Sequence, residues 1–210
     1  NSSISRTFGL YLLLYMSQFW LYFKLGLEHV LDWQAYDHIL FLVVLVISYS
    51  FSSWKKVLYL ASTFTLGHTL SLILSAYGIV KADTKYVEVL IAITILVTAL
   101  YNLFTAKKKE QKNSILLFIT TAFFGIIHGL GFSTYFKMIA AGMENKFLLL
   151  MEFTLGIEAA QIIVVLSVLI LTFLFLRILK VNRRDWILVI SSIVIGILLP
   201  ILKDNLLKIW

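Results

Sequence analysis

The chain contains no cysteine in its 210 residues. Disulfides, thiolate metal sites and thiol catalysis are therefore excluded, and redox chemistry gives no guide to compartment. Proline occurs once, at Pro200, which leaves the earlier helices free of proline kinks. Charged residues are scarce, at 14%, against 60% hydrophobic residues and a mean hydropathy of +0.94. That balance is far from that of a soluble domain. No ATP-binding motif is present, so any uphill work must be driven by a gradient or a partner.

What the chain has instead is a series of apolar runs approaching ~20 residues, enough to cross a bilayer. The length leaves room for one membrane domain and no separate soluble one. A net charge of +7 would suggest nucleic acid in a soluble protein. Here Lys and Arg cluster between apolar runs, so the expected partner is the lipid bilayer and not nucleic acid.

The fold class read from this pattern is all-α, a polytopic membrane bundle. Six clear transmembrane helices are expected at 36–51, 57–79, 86–104, 114–135, 147–176 and 186–202. Residues 1–35 form an N-terminal unit that supplies a seventh, membrane-embedded or interfacial helix and an outer loop; residues 36–210 form the six-helix domain. Within 8–23 a tilted crossing, a signal-like segment and an interfacial helix are all open, and Met16 offers an alternative start. The loops after the first, third and fifth spans hold two, four and four Lys or Arg. The positive-inside rule puts these in the cytoplasm and puts 28–38 and the C-terminus outside; if 8–23 crosses, Arg6 is in the cytoplasm too.

Polar residues inside apolar runs point to the chemistry, because a charge in hydrocarbon is costly unless paired, metal-bound or wet. Glu28, His29, Asp32, Asp37 and His38 crowd the start of the 36–51 run. His68 lies on a helical face with Ser62, Thr65, Ser71 and Ser75. His128 lies in a Gly-rich stretch, where Gly125 and Gly129 allow a neighbouring backbone close and Gly131 allows a bend. His68 and Glu158 are each eleven residues, roughly 16 Å, from an outer span end. The expected arrangement is a column from the outer face (Asp37, His38, Glu88, Glu152) to mid-membrane (His68, His128, Glu158). The metal candidates are Asp37, His38, His68, His128 and Glu158, with His29, Asp32, Glu88, Glu152 and Gln161 behind them. Imidazole nitrogens with carboxylate oxygens and no sulfur suit Ni²⁺, Co²⁺ or Zn²⁺ without choosing among them. Asp37 serves equally as a helix N-cap, as support for His38, or as a ligand. Glu88 suits a first helical turn.

Four motifs then resemble the HupE/UreJ family of bacterial membrane proteins, in its second branch. They are His29 with Asp37-His38-Ile-Leu-Phe-Leu, Phe64-Thr-Leu-Gly-His68-Thr-Leu-Ser-Leu, Phe124-Gly-Ile-Ile-His128-Gly-Leu-Gly-Phe, and Gly156-Ile-Glu158-Ala-Ala-Gln161. The resemblance implies a permease-like protein of the inner membrane, associated with nickel or cobalt supply. Its functional residues map to His29, Asp37, His38 and His128. His29 stands eight residues before Asp37, a wider spacing than in nickel-permease members, and Gln34-Ala35-Tyr36 replaces their glycine-containing approach.

The leading reading is a divalent-metal permease. A membrane metallohydrolase or acyltransferase for lipid-like substrates is the alternative, with Asp37 or Glu158 as general base. An accessory subunit of an envelope complex is the third, and a homo-oligomer is compatible with each.

Overall fold

A computed structural model describes residues 2–32, 36–108, 115–143 and 145–209, with side chains from residue 16 onward. Gln34, Ala35, residues 109–113 of the basic loop and the side chain of Arg6 lie outside the described residues. Seven α-helices and no strand occur among the described residues: α1 (Ser2–Leu31), α2 (Asp37–Val46), α3 (Trp54–Ala76), α4 (Thr84–Thr105), α5 (Ile115–Ile139), α6 (Lys146–Phe173) and α7 (Arg183–Leu207). A π-helical turn, Leu174–Ile178, extends α6. Five of these, α3 to α7, are long and apolar enough to cross a membrane. The chain is an integral membrane protein of helical architecture. Gly131 does not bend its helix, since α5 continues through it to Ile139.

The largest departure from the sequence reading is α2. Ten residues span about 15 Å, half of a ~30 Å hydrocarbon layer, so the full crossing expected over 36–51 is not formed. An apolar helix that stops inside a bundle must find partners for its last carbonyls. Asn102 Nδ2 donates to the Val44 carbonyl at 2.6 Å, and Ser48 Oγ donates to Asn102 Oδ1 at 2.8 Å. Arg183 donates to the Ser48 carbonyl at 2.5 Å and to the Lys108 carbonyl at 3.0 Å. Asn102 is buried, so Asn102→Leu leaves these groups unsatisfied at a cost of ~1–3 kcal/mol. Thermal unfolding in detergent should show the variant melting below the wild type.

Contacts also fix the directions of the first two helices. Asn102, near the end of α4, meets Val44, near the end of α2. At the other end, Asp37, His38 and Leu40 share a cavity wall with Ile91, Ala92 and Ile95. Thus α2 runs alongside α4 in the same direction and begins roughly 10–16 Å below the first turn of α4. Tyr22 Oη lies 3.8 Å from Met143 Sδ, just ahead of α6, while Gly26 packs between Phe153 and Ile157. So α1 runs the same way as α6, and α1 and α2 follow one another with little contact between them. Residues 28–32 and 36–38 sit at their junction, level with the middle of α4, and not on an outer surface.

Glycines decide how closely the longer helices approach. A Cβ at Gly67 would overlap the Ala122 carbonyl, and one at Gly125 would overlap the Phe64 carbonyl. Gly129 meets the His68 carbonyl in the same way, and these three lock α3 to α5. Gly26 and Gly156 do the same for α1 and α6, against the Phe153 and Phe23 carbonyls. Each of these contacts lies within a turn of a histidine or of its packing partner Phe153. The pattern is that of small residues that let helix backbones meet in a membrane.

Candidate metal centre

Four separate helices each deliver one imidazole to a common point. His29 comes from the last turn of α1 and His38 from the first turn of α2. His68 and His128 come from the middles of α3 and α5, each beside a glycine of the seam. The ring centroids of His29 and His38 are 4.7 Å apart, and each lies 5.6 Å from that of His68. His128 is 5.4 Å from His38. One ligand atom each of His29, His38 and His68 falls within 4.8 Å of the other two. A tetrahedral metal with ~2.0–2.1 Å bonds needs nitrogens ~3.3–3.4 Å apart, so side-chain rotations that close about an ångström would complete the triad.

Hydrogen bonding leaves these imidazoles prepared for a ligand. His128 Nδ1 lies 2.8 Å from the Phe124 carbonyl, which can only accept, so Nδ1 carries the proton and Nε2 presents its lone pair. His38 Nδ1 lies 3.3 Å from Asp37 Oδ1, the carboxylate–histidine pairing that fixes the tautomer of a metal ligand. The Nε2 atoms of His29, His38 and His128 and both nitrogens of His68 are buried without a partner. Buried imidazole nitrogens left unpaired are costly, and four converging ones are explained most simply by a cation among them. The donor set, nitrogen with a nearby carboxylate and no sulfur, fits Ni²⁺, Co²⁺ or Zn²⁺.

Asp37 is the first residue of α2, but the N-cap is Tyr36 and no side chain caps the helix. Its carboxylate turns to His38 instead. There it also offsets the positive end of the helix.

A cavity of about 1180 Å³ reaches the imidazoles from the side of the α3–α4 turn. Glu28, Asp32, Asp37 and Glu88 line it with His29, His38 and His128. At its rim Lys208 Nζ lies 3.3 Å from Glu88 Oε2. Glu88 stands beyond the first turn of α4 and pairs with Lys208, so its role is not a dipole contact. On the far side of the imidazoles, the fully buried rings of Phe41 and Phe64 stack at 4.7 Å. Both pack on His128, at 5.2 and 4.9 Å. These two rings and Lys208 were not singled out in the sequence, although Phe64 stands one turn before His68 on the same face.

Three expected residues lie apart from the imidazoles. Glu158 accepts a hydrogen bond from Ser62, and Gln161 pairs with Thr65 at 3.0 Å. Glu152 is buried on α6 with neither carboxylate oxygen partnered. The column drawn from sequence is therefore a compact cluster at one depth, because α2 starts beside His68 and not above it.

Residues 11–202 match the family described as HupE / UreJ protein, which is most of the chain. The chain belongs to the HupE/UreJ family. Comparison with curated proteins and with solved structures gave no match. Membership in the HupE/UreJ family suggests a metal-transport-related membrane protein. The family is one of transporters and accessory proteins and not of enzymes.

Proposed function

We propose that this HupE/UreJ protein is a permease for a divalent transition metal, held in transit by His29, His38 and His68 with His128 beside them. The observation that carries the reading is the convergence of unpartnered, buried imidazole nitrogens from four helices. The acidic cavity supports it, since four carboxylates at the approach raise the local concentration of a cation. The Phe41–Phe64 pair supports it as well: it closes the far side, as expected of a carrier caught open to one face only. The cavity side is the outer one if the Lys- and Arg-rich loops are cytoplasmic.

In this reading the C-terminal part of α1 and the ten residues of α2 are the two halves of one broken crossing, with the break at the metal. Transporters commonly bind substrate at such breaks near the midplane, where helix ends and freed backbone groups face the site. Metal arrives as a hydrated cation, exchanges water for imidazole nitrogen, and leaves when α2 shifts against the locked α3–α5 pair and moves Phe41 away from Phe64.

The test is Ni²⁺, Co²⁺ and Zn²⁺ uptake into liposomes holding the purified protein. Saturable uptake of at least one metal, absent from His68→Ala liposomes, is the expected result. Tight one-to-one binding with no flux would overturn the permease in favour of a resident metal. A further expected outcome concerns Asp37. Asp37→Asn keeps the fold but frees His38 Nδ1 from its carboxylate, so metal affinity should fall ~10–100-fold by titration calorimetry.

A further inference from the structure

The α3–α6 seam carries a second polar group that the imidazole centre does not use. Ser62 donates to a carboxylate oxygen of Glu158, and Thr65 Oγ1 lies 3.0 Å from Gln161 Oε1. Thr65 Oγ1 is also 3.3 Å from the Ala61 carbonyl. One hydroxyl proton cannot serve both acceptors, while Gln161 Nε2, fully buried, has no partner at all. Exchanging the two ends of the Gln161 amide removes both faults, and such an exchange is invisible to heavy-atom positions. Nε2 then donates to Thr65 Oγ1, the Thr65 hydroxyl turns to Ala61, and Gln161 Oε1 is left open. It opens on the same helical face as Glu158, three residues earlier. Glu158 lies twelve residues, roughly 18 Å, into α6, a depth at which a lone carboxylate is expensive.

We infer that Ser62, Glu158 and Gln161 form a second cation site, distinct from the imidazole centre, for a hard monovalent cation of the sodium type. Every donor is oxygen, which suits hard cations and gives a transition metal no imidazole. One carboxylate supplies one negative charge, which matches a monovalent ion and leaves a divalent one under-neutralised. A proton alone would need one acceptor, and this helical face carries two, Glu158 and Gln161, three residues apart. The site's role rests on the permease reading: sodium moving down its gradient supplies the drive, and coupling passes along α3, which carries Ser62, Thr65 and His68 on one face.

The experiment measures radioactive sodium binding and Ni²⁺, Co²⁺ and Zn²⁺ binding on the same detergent-purified samples. Wild-type protein should bind sodium saturably, and Glu158→Gln should lose it while keeping Ni²⁺ affinity within a factor of ~3, as distant sites add nearly independently. Ser62→Ala, which removes only a partly buried hydroxyl, covers the case in which Glu158→Gln fails to fold. It should weaken sodium binding by ~10-fold, the scale of one hydrogen bond to a charged group. Absence of saturable sodium binding in wild type overturns the inference. So does unchanged sodium binding in the variants, and so does joint loss of Ni²⁺ in folded Glu158→Gln, which would put the carboxylate in the imidazole centre. Sodium binding without binding of Ni²⁺, Co²⁺ or Zn²⁺ in wild type upholds the second site and defeats the permease reading.

Discussion

Purified His68→Ala protein should bind Ni²⁺ more than ~100-fold more weakly than wild type, beyond what loss of an outer-shell partner costs. His68 is fully buried, and neither ring nitrogen is committed to a hydrogen bond. Both nitrogens are thus free for a metal, and no structural bond is lost with the ring. Removing it opens a cavity in a packed layer, which costs a few kcal/mol of stability. His68→Leu fills much of that space and should keep the fold while losing the metal. A titration on both variants separates the effects. If either folded variant kept wild-type affinity, His68 would be structural and the triad would fall. His38 should behave similarly, with one difference: its loss also strands the Asp37 carboxylate near the start of α2.

The second large effect lies in the seams and not at the metal. Gly125→Val should abolish recovery of folded protein, or destabilise it by ~3 kcal/mol or more, the upper end for overpacking. Its Cβ would meet the Phe64 carbonyl, a backbone atom that no rotamer change can move. Relief requires α3 and α5 to separate, which pulls His68 and His128 apart. Metal binding should therefore fail even where protein survives. Gly196→Ala is the control. Nothing lies within 4 Å of a Cβ at Gly196 in α7, so alanine should be tolerated and gain up to ~1 kcal/mol of helix propensity. Size-exclusion profiles and melting curves of the two variants give the comparison directly.

Periodicity made one part of this site legible in the sequence. The line Ser62, Thr65, His68, Ser71 and Ser75 advances by three or four residues, which fixes one face of a helix. In the structure Thr65, His68, Ser71 and Ser75 are all buried. The spacing of Gly125 and Gly129 likewise predicted a close backbone approach, and α3 makes it. Both signals are local and follow from 3.6 residues per turn.

Depth was not legible, for a nonlocal reason. The run 36–51 is apolar enough to read as a crossing, and the signal that stops α2 lies elsewhere in the chain. Asn102 and Arg183 supply that signal, 58 and 135 residues from their α2-side partners. Without it, the sequence pattern puts Asp37 and His38 at the outer surface, with a column leading down to His68. The spacing of His29 from Asp37 departs from nickel-permease members, but the α1–α2 junction brings the His29 ring 4.7 Å from that of His38. Spacing along the chain constrains two residues less when a break between helices intervenes. Glu158 and Gln161 were grouped with the histidines because depth along α6 was known and azimuth relative to the other helices was not.

The central claim is that histidines from separate helices hold one transition-metal ion, and X-ray absorption at the metal edge of the Ni²⁺-loaded, detergent-purified protein tests it most directly. The account predicts a first shell dominated by nitrogen, with the outer-shell scattering of at least three imidazoles, reduced by one imidazole in His29→Ala. A shell of oxygens without imidazole scattering, or a spectrum unchanged in His29→Ala, would contradict it.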